Sequence, residues 1–353
     1  MIAATFSPSQ PAPQPLAAPN WQQVLAHAIT DPHELLALVG LSDQHLPQAL
    51  QAAHAFGLRV PRGFVRRMRY GDANDPLLRQ VLPLAAENLS RDGFGLDPVG
   101  DLESRVASGV LHKYHGRALV IATGACAVHC RYCFRRHFPY ADELASSDGW
   151  RAALDTLRSD ASIGEVILSG GDPLSLSDRR LTQFTDALRR IPHVRRIRVH
   201  TRQPIVLPER VDSGLLQWLK ACGLQKVMVL HANHAQEIDA DVRRACRALA
   251  DTGTVLLNQA VLLAGVNDSI EALVDLSEAL FDTGVMPYYL HMLDRVQGAA
   301  HFEVSQDRAR QLVNGVNMRL PGYLVPKLVR EVSGAGAKTP IDGFGDDAQM
   351  TGN

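Results

Sequence analysis

Residues 118–133 read Ala-Leu-Val-Ile-Ala-Thr-Gly-Ala-Cys126-Ala-Val-His-Cys130-Arg-Tyr-Cys133. An apolar run suited to a buried strand leads directly into a loop that carries three cysteines within eight residues. Thiolates at CxxxCxxC spacing can wrap one metal centre in a single tight loop. Structural zinc takes four protein ligands, and His129 or His137 could supply the fourth. A four-iron cluster takes one thiolate per iron, so three cysteines leave one iron open to a further ligand.

The strand-then-helix alternation continues downstream. Strands are predicted at Ala118–Ala122, Glu165–Ser169, Arg196–Thr201, Lys226–His231, Val255–Leu263 and Met286–His291. Amphipathic helices are predicted at Asp178–Arg190, Val211–Cys222, Ala235–Ala250 and Ile270–Phe281. Six βα units in succession imply a parallel sheet with right-handed crossovers. Eight would close a full barrel, so six predict an α/β fold built on an open, partial (β/α)6 barrel, with a doubly wound sheet as the alternative. Polar residues gather at the strands' C-terminal ends: Gly170-Gly171-Asp172, His200-Thr201-Arg202, His231 with Asn233, Asn258 with Gln259, and His291 with Asp294. Parallel α/β folds build active sites on that rim, so five polar rims predict one shared cavity.

The chain has 353 residues, 46% hydrophobic and 21% charged, which suits a filled core and excludes global disorder. Acids and bases nearly cancel, 37 against 36, so no bulk pull toward nucleic acid or an anionic membrane is expected. No apolar run reaches the roughly 18–20 residues of a bilayer span. The first Lys or Arg is Arg59, so no basic leader is expected and the cytoplasm is the expected compartment. Cys222 and Cys246 sit in apolar helical patterns and read as buried structural thiols. Residues 1–20, with five prolines and no charge, predict a disordered tail. Residues 21–110 predict a helical N-terminal region. Its apolar residues keep helical spacing from Trp21 to about Phe56, and Asp31-Pro32 reads as a helix start. The barrel is expected over 111–300 and a C-terminal segment over 301–353. Arg59, Arg62, Arg66, Arg67 and Arg69 read as a solvated face, with docking of an acidic partner as the alternative.

A second segment stands out near the C-terminus, Ser333-Gly-Ala-Gly-Ala-Lys338-Thr-Pro. Only five of the 36 basic residues are lysines, and this one is embedded among small residues. A phosphate loop would need glycine at Val332 and Ala337. A Schiff-base lysine needs a primary amine on a flexible stem in a tight space, which the segment supplies. A surface turn is the plain alternative.

CxxxCxxC on the loop after the first barrel strand, with Tyr132 between the last two cysteines, resembles the radical S-adenosylmethionine (SAM) superfamily. Together with the Lys338 segment, the chain resembles the lysine 2,3-aminomutase family over roughly residues 60 to 345. The matching stretches are DPLLRQVLPL (75–84), HKYHGRALVIATGACAVHCRYCFRRHFPY (112–140), ILSGGDPL (167–174), HTRQPIVLPERV (200–211), NQAVLLAGVND (258–268), PYYLHMLDRVQGAAHF (287–302) and PGYLVPKLVREVSGAGAKTP (321–340). DPLLRQVLPL, CRYCFRRHFPY and the short length look closest to the EpmB branch, which supplies (R)-β-lysine for modification of elongation factor P.

The resemblance implies a [4Fe-4S] cluster held by Cys126, Cys130 and Cys133, with SAM on the open iron, and pyridoxal 5′-phosphate (PLP) on Lys338. It implies Gly170, Gly171, Asp172, Arg202, Asn258 and Gln259 as further cofactor-binding residues, and Lys113, Tyr114 and Arg117 around the PLP phosphate. Arg135 would hold the substrate carboxylate. Asp294 and Glu331 would hold the ε-ammonium of L-lysine, Glu331 standing where lysine aminomutases carry an aspartate. The implied reaction is conversion of L-α-lysine to (R)-β-lysine, an isomerisation. A flavodoxin- or ferredoxin-type electron donor, a homo-oligomer and use of the product by an elongation factor P ligase are implied with it. A radical SAM and PLP aminomutase acting on another amino acid is the alternative, although paired acids disfavour an acidic side chain. A zinc-stapled module that binds a translation component is a non-enzymatic rival, and nothing in the charge or motifs suggests an RNA binder.

Overall fold

A computed structural model describes residues 20–42, 46–145 and 150–342. The expected tail, apart from Asn20, lies outside the described residues. Before the barrel come α1 (Trp21–Ala26), α2 (Pro32–Leu38), α3 (Leu46–Ala55), α4 (Arg62–Val65) and α5 (Pro76–Arg79). Asp31 caps α2 by accepting from the His33 N–H, with Pro32 in the first turn, as expected. The next two elements were not anticipated: β1 (Arg105–Ala107) and β2 (Val110–Tyr114) form a short antiparallel hairpin. β1 has three residues, too few to show a period of two.

The hairpin pairs antiparallel with β3 (Arg117–Thr123). From β3 the sheet is parallel through β4 (Glu165–Gly170), β5 (Arg196–Thr201), β6 (Gln225–Leu230), β7 (Val255–Val261), β8 (Met286–His291) and β9 (Lys327–Arg330). β10 (Thr339–Pro340) returns antiparallel on β9. β1 and β10 end the sheet, so the barrel stays open. Six βα steps are present, as expected, and β9 adds a seventh parallel strand. Its Lys-Leu-Val-Arg is too brief for the sequence pattern to reveal.

The crossovers carry α6 (Arg151–Ser159), α7 (Asp178–Leu188), α8 (Gln203–Val206), α9 (Ser213–Ala221), α10 (Ala240–Ala250), α11 (Ile270–Phe281) and α12 (Gln306–Asn317). Their starts follow from capping. Asp212, Asp239, Ser269 and Ser305 each accept a backbone N–H of the first turn of α9, α10, α11 and α12. In α11, Leu273, Leu276 and Leu280 recur at helical spacing and are buried against the sheet. Strand β5 shows how the sheet divides its faces. Ile197 and Val199 pack into the main core, whereas Arg198 and His200 line the lumen. Cys222 and Cys246 are buried thiols in that core, as expected.

The N-terminal helices dock on the barrel through buried arginines. Arg67, expected on a solvated face, donates to the carbonyls of Ile205 (2.7 Å) and Glu237 (2.8 Å) and pairs with Asp239 (2.8 Å). Arg131, between Cys130 and Cys133, is wholly buried. Its Nε donates to Glu87 at 2.8 Å and one terminal nitrogen to the Phe56 carbonyl at 2.7 Å. Arg136 reaches the same Glu87 carboxylate at 2.8 Å. Removing one member of a buried ion group leaves the others uncompensated. Glu87→Ala is therefore expected to lower unfolding free energy by about 3–5 kcal/mol. Urea denaturation checks this; a midpoint equal to that of the unaltered protein would contradict it.

Candidate active site

One large cavity of about 440 Å³ occupies the lumen and the C-terminal rim of the parallel strands. That size suits a small-molecule site. Cys126, Cys130 and Cys133, on the loop after β3, line it, and so does Lys338, just before β10. The two segments that the sequence singled out thus share one chamber, although 205 positions separate Cys133 from Lys338.

The cysteine loop is held at its base by the glycine pair. The β3–β4 register shifts where Thr123 meets Gly170, whose φ is 120°. A Cβ on Gly170 would fall 2.6 Å from the Thr123 carbonyl oxygen, and one on Gly171 2.5 Å from that of Ala125. Only glycine allows this approach. The Gly171 and Asp172 N–H groups then donate to those same two carbonyls, at 2.6 and 2.8 Å.

Burial is the main force raising the Cys126 and Cys133 thiols, Cys133 to about 11, and neighbouring cysteines add to it. Arg202 donates to Cys130 Sγ at 2.8 Å and is itself held by Gln80 (2.6 Å) and Glu237 (3.0 Å). A crowded thiol triplet facing a guanidinium suits a polynuclear cation that takes one thiolate per iron. Among the described residues, no three His, Cys, Asp or Glu side chains converge on a single-ion site. The two histidines that could complete a zinc site spend a ring nitrogen on backbone: His129 on the Gly57 carbonyl (2.9 Å), His137 on that of Gln297 (3.2 Å).

At the other end, the Lys338 ammonium donates to Glu331 at 2.7 Å and lies 5.8 Å from the centre of the Tyr289 ring. Tyr114 donates to the other Glu331 oxygen. Arg117 stacks on the Tyr114 ring at 4.7 Å, and among the described residues no carboxylate pairs with it. Arg117 is thus a cation available to an anionic ligand. Lys113 is not: its ammonium is tied to Asp101 (2.7 Å) and to the Val99 carbonyl (2.6 Å). Of the three residues expected around the phosphate, only Arg117 keeps its polar group uncommitted.

Two further expectations are corrected. Asn258 was expected to face a cofactor, but strand alternation sends it away from the lumen. Its amide brackets the backbone of Ala232, accepting its N–H at 2.9 Å and donating to its C=O at 3.0 Å. Its neighbour Gln259 lines the cavity. The Asp172 carboxylate is consumed by Thr201 Oγ1 (2.7 Å) and the N–H groups of Leu174 (3.0 Å), Arg202 (2.8 Å) and Gln203 (3.1 Å). It fastens β4 to β5 and leaves no oxygen free for a ligand.

Arg135 is buried, donating from Nε to Asp101 at 2.6 Å and from a terminal nitrogen to Ser169 at 2.9 Å. Asp294 lines the cavity, and among the described residues its carboxylate accepts no side-chain hydrogen bond. Burial raises it to about 7, against the pull of Lys338, while Glu331 and Asp101 push the same way as burial. His200, His231 and His291 form a neutral patch of the wall. Burial lowers all three, His231 to about 3, and nearby cations including Lys338 add to it. The sequence reading missed Asp101, Ser169, Gln80, Glu87 and Glu237. Their partners lie 34 or more positions away in most of these bonds, so no local pattern marks them.

No family model matches the chain. A protein of Escherichia coli (strain K12) named L-lysine 2,3-aminomutase is 48% identical over 324 residues, covering 92% of this chain and 94% of that one. One from Haemophilus influenzae with the same name is 44% identical over 91% of this chain and 95% of that one. One from Clostridium subterminale, also so named, is 32% identical over 91% of this chain and 77% of that one. The chain belongs to the L-lysine 2,3-aminomutase family. Among solved structures, a radical SAM methyltransferase from Sphaerobacter thermophilus covers 63% of the chain and 68% of its own, at 18% identity and a TM-score of 0.44.

In this aminomutase-family chain the buried Asp294 carboxyl is expected to titrate near pH 7 in the ligand-free protein. Removing the Lys338 cation by Lys338→Ala moves that titration further up, because the cation favours the anion. Carbon-13 NMR of aspartate-labelled protein, with Asp294→Asn for assignment, checks both. A titration in the ordinary range of about 4 would contradict the burial argument.

Proposed function

We propose that the chain is an L-lysine 2,3-aminomutase that converts L-α-lysine to (R)-β-lysine. The observation that carries this reading is the single chamber with three thiols at one end, an amine at the other, and an arginine and two carboxylates on its wall. The family's name adds the substrate. When bound, a [4Fe-4S] cluster with SAM supplies a hydrogen-abstracting radical, and PLP supplies a π-system across which an amino group can migrate.

The chain's own residues bind, orient and shield. Cys126, Cys130 and Cys133 hold the iron. The Arg202 guanidinium balances charge at Cys130, and the glycine pair fastens the base of the loop, with Gln259 on the wall of the same chamber. Lys338 attaches PLP, and Arg117 takes its phosphate. The Arg135 fork suits the substrate carboxylate. Asp294 and Glu331 take the ε-ammonium at the far end. Glu331 holds Lys338 in the ligand-free protein, so that carboxylate becomes free for substrate once the Lys338 amine is engaged. Fixing a zwitterionic diamine at both ends removes the orientational freedom that a reaction at its middle carbons cannot tolerate.

The same reading includes a flavodoxin- or ferredoxin-type reductant, a cytoplasmic setting, a homo-oligomeric assembly and delivery of β-lysine to an elongation factor P ligase. The resemblance of residues 75–84 and 130–140 to the EpmB branch supports the last of these. Among the described residues, no helix is long and apolar enough to cross a membrane.

Anaerobic turnover of reconstituted, reduced protein with SAM, PLP and L-lysine tests the reading, with products read by chiral chromatography and mass detection. (R)-β-Lysine is expected. 5′-Deoxyadenosine without β-lysine would make lysine the wrong substrate, and neither product from protein with an intact cluster would overturn the reading. Asp294→Ala is expected to weaken lysine binding by at least about tenfold, and Lys338→Ala to remove the borohydride-trappable attachment of PLP. Because Asp294 gains its charge as pH rises, lysine affinity should climb as pH rises through the Asp294 titration and level off above it. A flat profile would contradict its role.

A further inference from the structure

The cavity wall carries an alternating row of charges: Arg135, Asp101, Lys113, Glu331 and Lys338. Adjacent members lie 2.6, 2.7, 3.9 and 2.7 Å apart. The proposed function gives tasks to the ends of this row and none to Asp101 near its middle. Asp101 precedes the barrel in sequence and is 2% exposed. Arg135 and Lys113 hold its carboxylate below its ordinary pKa even though burial opposes ionisation.

The segment around Asp101 is built to hold it still. The Asp97 carboxylate accepts the N–H groups of Asp101 and Leu102, each at 3.0 Å. Gly100, at φ 65°, packs so closely on Ser333 that a Cβ there would collide with the Ser333 hydroxyl. Asp101 is thereby braced against the C-terminal segment that carries Lys338.

We propose that Asp101 is the positioning residue that aims the Arg135 guanidinium at the carboxylate of the amino-acid substrate. This rests on the reading of Arg135 as the carboxylate site. Arg135 has five N–H donors. Asp101 takes Nε and Ser169 takes one donor of a terminal nitrogen, so three terminal donors remain without a protein acceptor. The guanidinium carbon lies 4.8 Å from the Phe134 ring and 5.9 Å from that of Phe138. With one side gripped and aromatic rings beside it, the free terminal donors form the fork that binds a carboxylate in two-point fashion. Asp101 thus brings the segment before the barrel into substrate recognition, and couples the grip on the carboxylate end, through Lys113, to Glu331 at the ammonium end.

The test uses reconstituted holoenzyme and two probes: L-lysine as substrate, and cadaverine, which is lysine without its carboxylate, as a competitive inhibitor. Asp101→Asn is expected to raise KM for lysine about ten- to a hundredfold, with a smaller change in kcat and an unchanged inhibition constant for cadaverine. Asp101→Glu should restore part of the loss. Combining Asp101→Asn with Arg135→Lys should add little to Arg135→Lys alone, because the two act as one unit. Ser169→Ala, which leaves every charge in place, should raise KM in the same direction by less, and it serves where Asp101→Asn does not fold. Equal weakening of lysine and cadaverine, an unchanged KM for lysine in Asp101→Asn, or, where that variant does not fold, an unchanged KM in Ser169→Ala, would overturn the proposal. If Arg135→Lys itself leaves KM unchanged, the reading of Arg135 fails and this inference with it. If Arg135→Lys weakens lysine while Asp101→Asn does not, only the inference fails.

Discussion

The Glu87 carboxylate, buried against Arg131 and Arg136, is the contact on which the rest of the site depends. The cysteine loop has no helix or strand of its own between Thr123 and Arg151 among the described residues. Its thiols must nonetheless stand in one small space. Burying a carboxylate costs several kcal/mol, and close pairing with hydrogen bonds offsets that cost. Here both arginines come from the loop and the acid comes from the N-terminal region, so the loop is ordered only when that region is docked. These loop arginines therefore act as fasteners. Arg67 does the same at the mouth of α8 and α10.

Strand alternation makes the second contribution. With apolar residues of β5 turned under the helices, every second residue faces the lumen, and the chain uses those places for arginine, histidine and glutamine. A lumen with several cations and few acids would repel itself. The row from Arg135 to Lys338 avoids this by alternating sign: Asp101 stands between Arg135 and Lys113, and Glu331 between Lys113 and Lys338. The three lumen histidines stay neutral because burial and nearby cations disfavour a further positive charge. Asp294 is the exception. Its carboxyl is costly to ionise in the ligand-free protein, and a bound cation would lower that cost.

The sequence showed the architecture well where local pattern decides it. Strands β5 and β8 and helix α11 have the boundaries that periodicity predicts, and the rim residues other than Asn233 and Asn258 do face one chamber. Local pattern was silent on β1 and β9, whose few residues cannot display a period. It was misleading at Asn258, which neighbours the lumen-facing Gln259. Alternation from the lumen-facing Gln259 puts Asn258 on the opposite face. Asp172 looked like a ligand because it follows a glycine pair, yet the four donors that occupy it come from β5 and the turns beside it. Asp101 was illegible for a different reason. It gains meaning only from Arg135, 34 positions later, and from Lys113 across the hairpin, and a single sequence carries no sign of either pairing.

The central claim is that one chamber joins the thiol end to the lysine end, so that hydrogen can pass directly between groups held at each. Isotope transfer measures this. With L-lysine deuterated at carbon 3 and unlabelled SAM, deuterium should appear in the 5′-deoxyadenosyl group recovered from SAM and at carbon 2 of the β-lysine formed. β-Lysine produced with no deuterium in that group would mean that the two ends do not exchange hydrogen, and the single-chamber account would be wrong.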